Sequence, residues 1–592
     1  MKSRIGIFIL FHLVTMGYFA DTYTLATEDE FQIDQFVNST MECRHVPGLI
    51  VTVVKGNTTL VSKGYGMANI EEAIPARNTS VFCIGSVTKA FTSTVIAKLI
   101  ETNSWLKWDS KITDIIGEDF KFNSQLLTNY TTITDLLSHR VGLVRWDIST
   151  QAGYPSYVTR EDLVRRLYSL PSIGDFRDEL QYNNHMYMLV GYIAEFVGGK
   201  TWEQLVDEFL LTPLEMTSTG YANELEEIEE CLAEMYTYQN GKHFKVDPEL
   251  RKIIKPGGPS GSICTTSSNM AAWMKLHINK GQTDTGVPVV DRDILQETYL
   301  PRIQRSVSQN NLFQPEWPID NADITYAMGW NNGIYRGNKK LSHGGSFFGY
   351  SAQLWLFPQS DIGVFTAANG PTGADASLAL RSINAYISDV LLGKEPWLNA
   401  TTSCSFPLPW KPGVSGKTPI PTTWQTGNPI DEMTAKTDAA ETITTSLPMQ
   451  NFERYAGVYG HIFLGNITIA MNETTNLLTF TYGRFMTGEL VYQDGDSFQL
   501  FLTGSYWWLL QNNAKSMPLH FIADSRGYMN TLHWSVSAME TVEYRKGIKW
   551  DALDPPCFNV RDKSCSNDQA HLRSSIHFIC LLVISVSYFL AM

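Results

Sequence analysis

Between residues 27 and 395 the chain alternates between apolar positions two apart and apolar positions four apart; after residue 450 the shorter period dominates. "GLIVTVVKGNTTLVSKGYGMAN" (48–69) holds β-branched runs that break at Lys55-Gly56-Asn57, which predicts a β-hairpin. From Ser86 onward, Val87, Phe91, Val95 and Leu99 recur four apart, the stripe of a helix. "TITDLLSHRVGL" (132–143) predicts a short capped helix ending at Gly142. "MYMLVGYIAEFVGG" (186–199) predicts a buried helix stopped by Gly198-Gly199, and "SNMAAWMKLHINKG" (268–281) predicts another. "YSAQLWLFPQSDIGVFTA" (350–367) returns to strands around a turn at 358–361.

Residues 396–448 are rich in Pro, Thr, Ser and Gly and carry no period, so they read as a linker. In 450–550 the segments "NITIAM", "NLLTFTYG", "GELVYQ", "SFQLFL", "YWWLL", "LHFIAD", "TLHWSV" and "TVEYR" alternate apolar and polar residues between turns. About eight strands in so short a stretch predict a small antiparallel barrel or sandwich.

Composition narrows this further. At 592 residues the chain is long enough for several domains, and 43% hydrophobic with 12% aromatic residues fills buried cores. Forty-six basic against 60 acidic residues, net −14, exclude a nucleic-acid partner, which needs a basic face. The acidic run "ELEEIEECLAE" (224–234) reads as a solvated helix face. Lys2 and Arg4 followed by an apolar stretch predict a secretory signal over 1–20, with Ala20 before the cut. Seven Asn-x-Ser/Thr acceptors (Asn38, Asn57, Asn78, Asn129, Asn399, Asn466 and Asn472) fit a glycosylated secreted chain. At the far end, a Cys loop and polar spacer (551–575) lead to the apolar tail 576–592, the pattern of a GPI signal. A tail anchor or weak membrane helix is the alternative. Cys557 and Cys565 are a candidate disulfide; their pairing would put the anchor on Ser566 or Asn567. Cys580 lies in the tail, and the seven other cysteines are an odd number, so at least one thiol is free or intermolecular. Cys83 reads as packing.

The candidate chemistry sits in "CIGSVTKAF" (83–91), where Ser86 follows a glycine and Lys89 lies one helical turn on. A serine hydroxyl is a poor nucleophile until a base takes its proton, and lysine can be that base only when desolvation keeps its amine neutral. The tetrapeptide alone is weak: Ser104-Trp105-Leu106-Lys107 matches it too, in a polar loop. Tyr182-Asn183-Asn184 precedes the buried helix, and His343-Gly344-Gly345 opens a strand. His139 reads as structural, at a helix end.

With these three motifs in order, joined by "TITDLLSHRVGL", "PLEMTSTGY" and "PSGSICTTSSNMAAWM", residues 30–390 resemble the serine β-lactamase and penicillin-binding-protein superfamily. They look most like its class C-like esterases, D-amino-acid peptidases and animal β-lactamase-related members. The resemblance implies an α/β (α+β) transpeptidase fold, an antiparallel sheet flanked by helices with a helical subdomain, over 27–395. It implies a lipocalin-like barrel after the linker. Ser86 would be the acylated nucleophile, Lys89 its activating partner, and Tyr182 a proton shuttle that acts as a phenolate base. Asn184 would hold the substrate amide and Lys89. The backbone N–H groups of Ser86 and Ser346 would form the oxyanion hole, on the strand that carries His343, Gly344 and Gly345.

The triplet begins with His343 where β-lactamases carry Lys-Thr-Gly, so a permanent cation for a carboxylate is missing. The Pro-Gly usual before Tyr182 and the class A deacylating Glu motif are missing as well. Neutral esters, amides or D-amino-acid and peptide derivatives are therefore expected ahead of β-lactam antibiotics, with no metal and no cofactor. The expected function is a secreted or surface-anchored serine hydrolase. The alternative is a retired hydrolase fold serving as an extracellular matrix glycoprotein.

Overall fold

A computed structural model describes residues 23–225, 231–305, 318–408, 410, 452–508, 517–537, 540–548 and 550. The expectations for the signal, the tail, Cys557, Cys565, Ser566, Asn567, most of the linker and residues 226–230 of the acidic run lie outside the described residues.

The hairpin forms as its pattern predicts, Gly48–Lys55 paired with Thr58–Asn69. It joins a nine-stranded antiparallel sheet by pairing with Ile362–Ala368, so the two ends of this larger domain meet near the sheet centre. Beyond Ile362–Ala368 the order runs Tyr350–Phe357, Asn338–Phe347, Asn331–Tyr335, Asn321–Tyr326 and Ile303–Gln304. Successive side chains of a strand point to opposite faces. Leu49, Val51 and Val53 accordingly pack with the helices Thr27–Cys43 and Ala374–Leu391, while Ile50 and Val54 join the larger core on the other face. That second core holds the helix Thr88–Thr102 that follows Ser86, the buried helix Asn184–Gly198 and the helix Ser267–Ile278.

Local signals set the element ends. Asn183 caps the buried helix by accepting the His185 N–H at 2.9 Å. Thr132 and Asp135 form a reciprocal capping box, but that helix is Ile133–Leu137 and stops five residues short of Gly142, because His139 takes a positive φ of 59°.

The predicted linker begins too early. Ala400–Ser405 is a short helix capped by Asn399, and Cys404 is disulfide-bonded to Cys43 at the end of the first helix. Cys83 is not mere packing: it is bonded to Cys264 across paired strands, the two residues being direct neighbours in register. Cys231 is free and exposed, in keeping with the odd count.

Eight antiparallel strands from Gly457–His461 to Glu540–Lys546 close into a barrel. "YWWLL" is not one of them; its described part forms helical turns around Gly504–Tyr506, and the missing strand is Gly457–His461. All seven candidate acceptor asparagines reach the surface: Asn38, Asn57, Asn129 and Asn399 are exposed, and Asn78, Asn466 and Asn472 are half-buried. Among the described residues no helix is long and apolar enough to cross a membrane.

Candidate active site

The short helix Gly85–Val87 runs into the helix Thr88–Thr102 and leaves Ser86 half-buried at its entry, with Lys89 fully buried one turn on. The decoy pair Ser104 and Lys107 is exposed in a loop. The Lys89 amine lies 3.1 Å from Ser86 Oγ, 2.7 Å from Asn184 Oδ1 and 2.7 Å from the Ser260 carbonyl. Two of these partners can only accept. In the neutral form the amine has two hydrogens and one lone pair, and with its N–H groups on Asn184 and Ser260 the lone pair would be left for the Ser86 hydroxyl. Burial, helped by the nearby Arg145 guanidinium and opposed by Asp147, holds the amine well below its ordinary value.

Asn184 cannot flip to spoil this. Its Nδ2 donates to both oxygens of Asp147 at 3.1 and 3.0 Å, which leaves Oδ1 for Lys89. Asp147 in turn pairs with Arg145, whose guanidinium stands 5.2 Å from the centroid of the Tyr182 ring.

Tyr182 lies where the motif places it, its ring centroid 4.9 Å from Lys89 Nζ and its hydroxyl bonded to Ser86. Burial pushes the Tyr182 hydroxyl above its ordinary value, against the smaller pull of Ser86 and Arg145, so the neutral phenol is the resting form. His139 is structural in a way that serves the site. Its Nδ1 accepts the Asn183 N–H at 3.1 Å, and its ring packs 4.1 Å from that of Tyr182.

The His343 strand brings the second face. Gly85 has φ +50°, and a Cβ there would meet Ser346 N at 2.7 Å; a Cβ on Gly345 would meet the Ile84 carbonyl at 1.9 Å and Ser86 N at 3.2 Å. Two glycines therefore let strand and helix entry touch, with the Ser86 and Ser346 amides side by side at an exposed Ser346. His343 itself is 4% exposed and stands behind this edge. Its Nδ1 faces the Gly344 carbonyl at 2.7 Å and its Nε2 the Tyr326 hydroxyl at 2.9 Å, so Nδ1 carries the proton. Burial pushes it down to about 3, and it is neutral at physiological pH. The His343 ring is buried behind this edge, and Gly344, Gly345 and Ser346 form its more exposed side.

If the Ser86 and Ser346 amides form the oxyanion hole the resemblance implies, Gly345→Ala should slow acylation by about a hundredfold, the usual cost of losing one oxyanion donor, since neither backbone can yield to the added methyl. Gly344→Ala meets the Gln353 side-chain amide, which can swing aside, and should lose far less. Acylation rates of the two variants check this.

Arg145, Asp147, Ser260 and Tyr326 are site residues the sequence reading missed. Ser260 lies inside the quoted "PSGSICTTSSNMAAWM"; the other three carried no signal of spacing or composition. Among the described residues no cluster of His, Cys, Asp or Glu could hold a metal.

The β-lactamase family profile matches residues 33–386. The chain belongs to the β-lactamase family. The unguisins hydrolase ungD of Aspergillus violaceofuscus is 26% identical over 364 residues, covering 60% of this chain and 63% of that protein. Protein flp of Staphylococcus aureus (strain COL) is 25% identical over 362 residues, covering 58% and 64%. The chain thus spans less than two thirds of the length of the curated relatives it matches. Of solved structures, the octameric penicillin-binding protein homologue from Pyrococcus abyssi shares the fold, with a TM-score of 0.53 at 19% identity over 87% of this chain and 99% of that one.

Proposed function

We propose that this member of the β-lactamase family is a serine hydrolase that cleaves esters or amides, D-amino-acid or peptide derivatives among them, through an acyl-enzyme on Ser86. The observation that carries the reading is the fully buried Lys89 amine 3.1 Å from Ser86 Oγ, its other two contacts taken by Asn184 and Ser260. Lys89 takes the hydroxyl proton as Oγ bonds to the substrate carbonyl carbon, and the amides of Ser86 and Ser346 receive the negative oxygen. The carbonyl re-forms as the leaving group departs with a proton from the Tyr182 phenol, which Lys89 replaces. Water then attacks the ester, giving its proton back through the same pair, and Ser86 is released with the acid.

A retired hydrolase kept as a matrix glycoprotein would have no use for a fully buried lysine, whose desolvation costs stability. Secretion and surface anchoring are part of the proposal, supported by two disulfides and by acceptor asparagines that all reach the surface. So is a small-molecule partner rather than nucleic acid. A relative named a hydrolase supports hydrolysis as the outcome.

Incubation with a fluorophosphonate and with a penicillin probe, followed by mapping of the modified peptide, tests the reading. A panel of p-nitrophenyl esters, D-amino-acid amides and nitrocefin tests the substrate class. An adduct on Ser86 and turnover of esters or amides ahead of nitrocefin are expected. No adduct, or one on another residue, overturns the proposal.

A further inference from the structure

The barrel interior is filled by its own side chains. Tyr455, Phe480, Phe498, Phe521 and Trp534 are each no more than 1% exposed and meet ring to ring, as the width of an eight-stranded barrel dictates. The ends of the barrel are where it meets the rest of the chain.

Three of its loops close on residues 146–154, the stretch that includes Asp147 and follows Arg145. The turn between the first two strands sends Phe463 and Leu464 into the main core, both no more than 1% exposed. The Phe463 ring stands edge-on to His185 at 4.7 Å, one residue from Asn184. His461, braced by the N–H groups of Phe463 and Leu464 on its Nδ1, stands edge-on to Trp146 at 5.3 Å. The buried Arg166 donates to the Ile462 carbonyl at 3.2 Å and so fixes the same turn. A second loop donates the Arg484 and Phe485 N–H groups to the Ala152 carbonyl at 2.9 and 3.1 Å, and a third donates the Tyr506 hydroxyl to the Gln151 carbonyl. Between them Trp146 holds φ +26°, a conformation a tryptophan keeps only when its surroundings enforce it. From the other side Asn183 binds the Leu143 and Val144 carbonyls and Asn184 binds Asp147.

We propose that the barrel is a positioning element of the active site: His461, braced by Phe463, holds the strained Trp146, and Phe463 packs against His185, so that Asp147 clamps Asn184 and water stays away from Lys89. This rests on the acyl-enzyme reading of Ser86. The barrel touches no reacting atom; it acts through 145–147. The groups facing Lys89 (Tyr182, Tyr187, His139, His343, Arg145 and Asp147) are untouched by substitutions at 461 and 463.

The test is the rate of fluorophosphonate labelling of the full chain across pH. Labelling needs a neutral Lys89, so its acid limb reports hydration of that amine. Phe463→Ala is expected to slow labelling at pH 7 by about tenfold or more, since small misplacements cost up to a hundredfold. Its acid limb should move up by about one pH unit as water enters. Phe463→Leu should restore both, and His461→Ala, a milder loss, should move them the same way if Phe463→Ala does not fold. Phe501→Ser, on an exposed barrel face, should match wild type. Wild-type rate and limb in a folded Phe463→Ala or His461→Ala overturn the proposal while the Ser86 reading stands. A wild type that does not label at all overturns that reading instead, and this one with it.

Discussion

Replacing Lys89 with methionine is expected to slow acylation of Ser86 by about a thousandfold while the fold persists, the size of a lost general base. Methionine matches the lysine stem in length and suits the fully buried channel between the Tyr182 and Tyr187 rings. Two opposing effects set its stability. The variant frees the chain from holding a neutral amine, and it leaves Asn184 Oδ1 and the Ser260 carbonyl without their donor. The dependence on pH separates these. Lys89 folded sits well below its ordinary 10.5, so the folded state binds fewer protons than the unfolded one and stability rises with pH. The penalty is largest at and below the folded value and vanishes as pH climbs through 10.5. Wild type should therefore gain on the variant by about 1.4 kcal/mol per pH unit in that window. Denaturant melts of both proteins from pH 7 to 10 measure it. Parallel lines would mean that Lys89 is charged in the folded protein, and the acylation chemistry would go with it. Lys89→Arg should be as inactive as the methionine variant, because a guanidinium keeps its charge.

The sequence made the nucleophile side of the site readable because its chemistry is local. Ser86 and Lys89 share one turn of helix, and the periodicity from Val87 to Leu99 marks where that helix begins. Tyr182, Asn184 and the His343 triplet were placed by resemblance, and the sheet brings them to the same cleft for reasons of register that no window of sequence contains. Arg145 and Asp147 stayed hidden because they matter only once Asn184 is nearby, an encounter set by tertiary packing. Cys83 looked like packing because its partner lies 181 residues away, across a strand pair whose register only the fold fixes. The barrel was legible from its alternation, yet "YWWLL" misled: Trp508 turns inward against the catalytic domain, where its neighbour Gln239 donates to its carbonyl, so an apolar run served an interface rather than a strand. Tyr182 could be named but not charged, because burial, not sequence, decides between phenol and phenolate.

Acidification is expected to unfold the protein cooperatively near pH 5, and the histidines are the cause. His139, His277 and His343 are at most 5% exposed. Burial pushes His277 and His343 down to about 3, and His139 lies well below its ordinary value. A group whose folded value is depressed must stay neutral in the folded chain while the unfolded chain protonates freely. Stability is therefore intact above the ordinary 6.5 and falls as pH drops below it, down to the folded values. Each histidine costs about 1.4 kcal/mol per pH unit in that range, so three together cost on the order of 6 kcal/mol by pH 5. A domain with a total stability of roughly 5–15 kcal/mol has little left after that. The carboxyls of Asp135 and Asp323, held below their ordinary value by Arg177 and Lys340, withdraw further support at lower pH. His277 isolates the effect, because it packs against Trp273, Tyr299 and Trp330, away from Ser86. His277→Phe should lower the steepness of the acid transition by about one proton and move its midpoint down, with labelling of Ser86 at pH 7 unchanged. Thermal melts between pH 7 and 4.5 read it directly. A melting temperature flat across that range would mean these histidines find protons or water in the folded state. Lys89 would then have lost the dry surroundings on which its free lone pair depends.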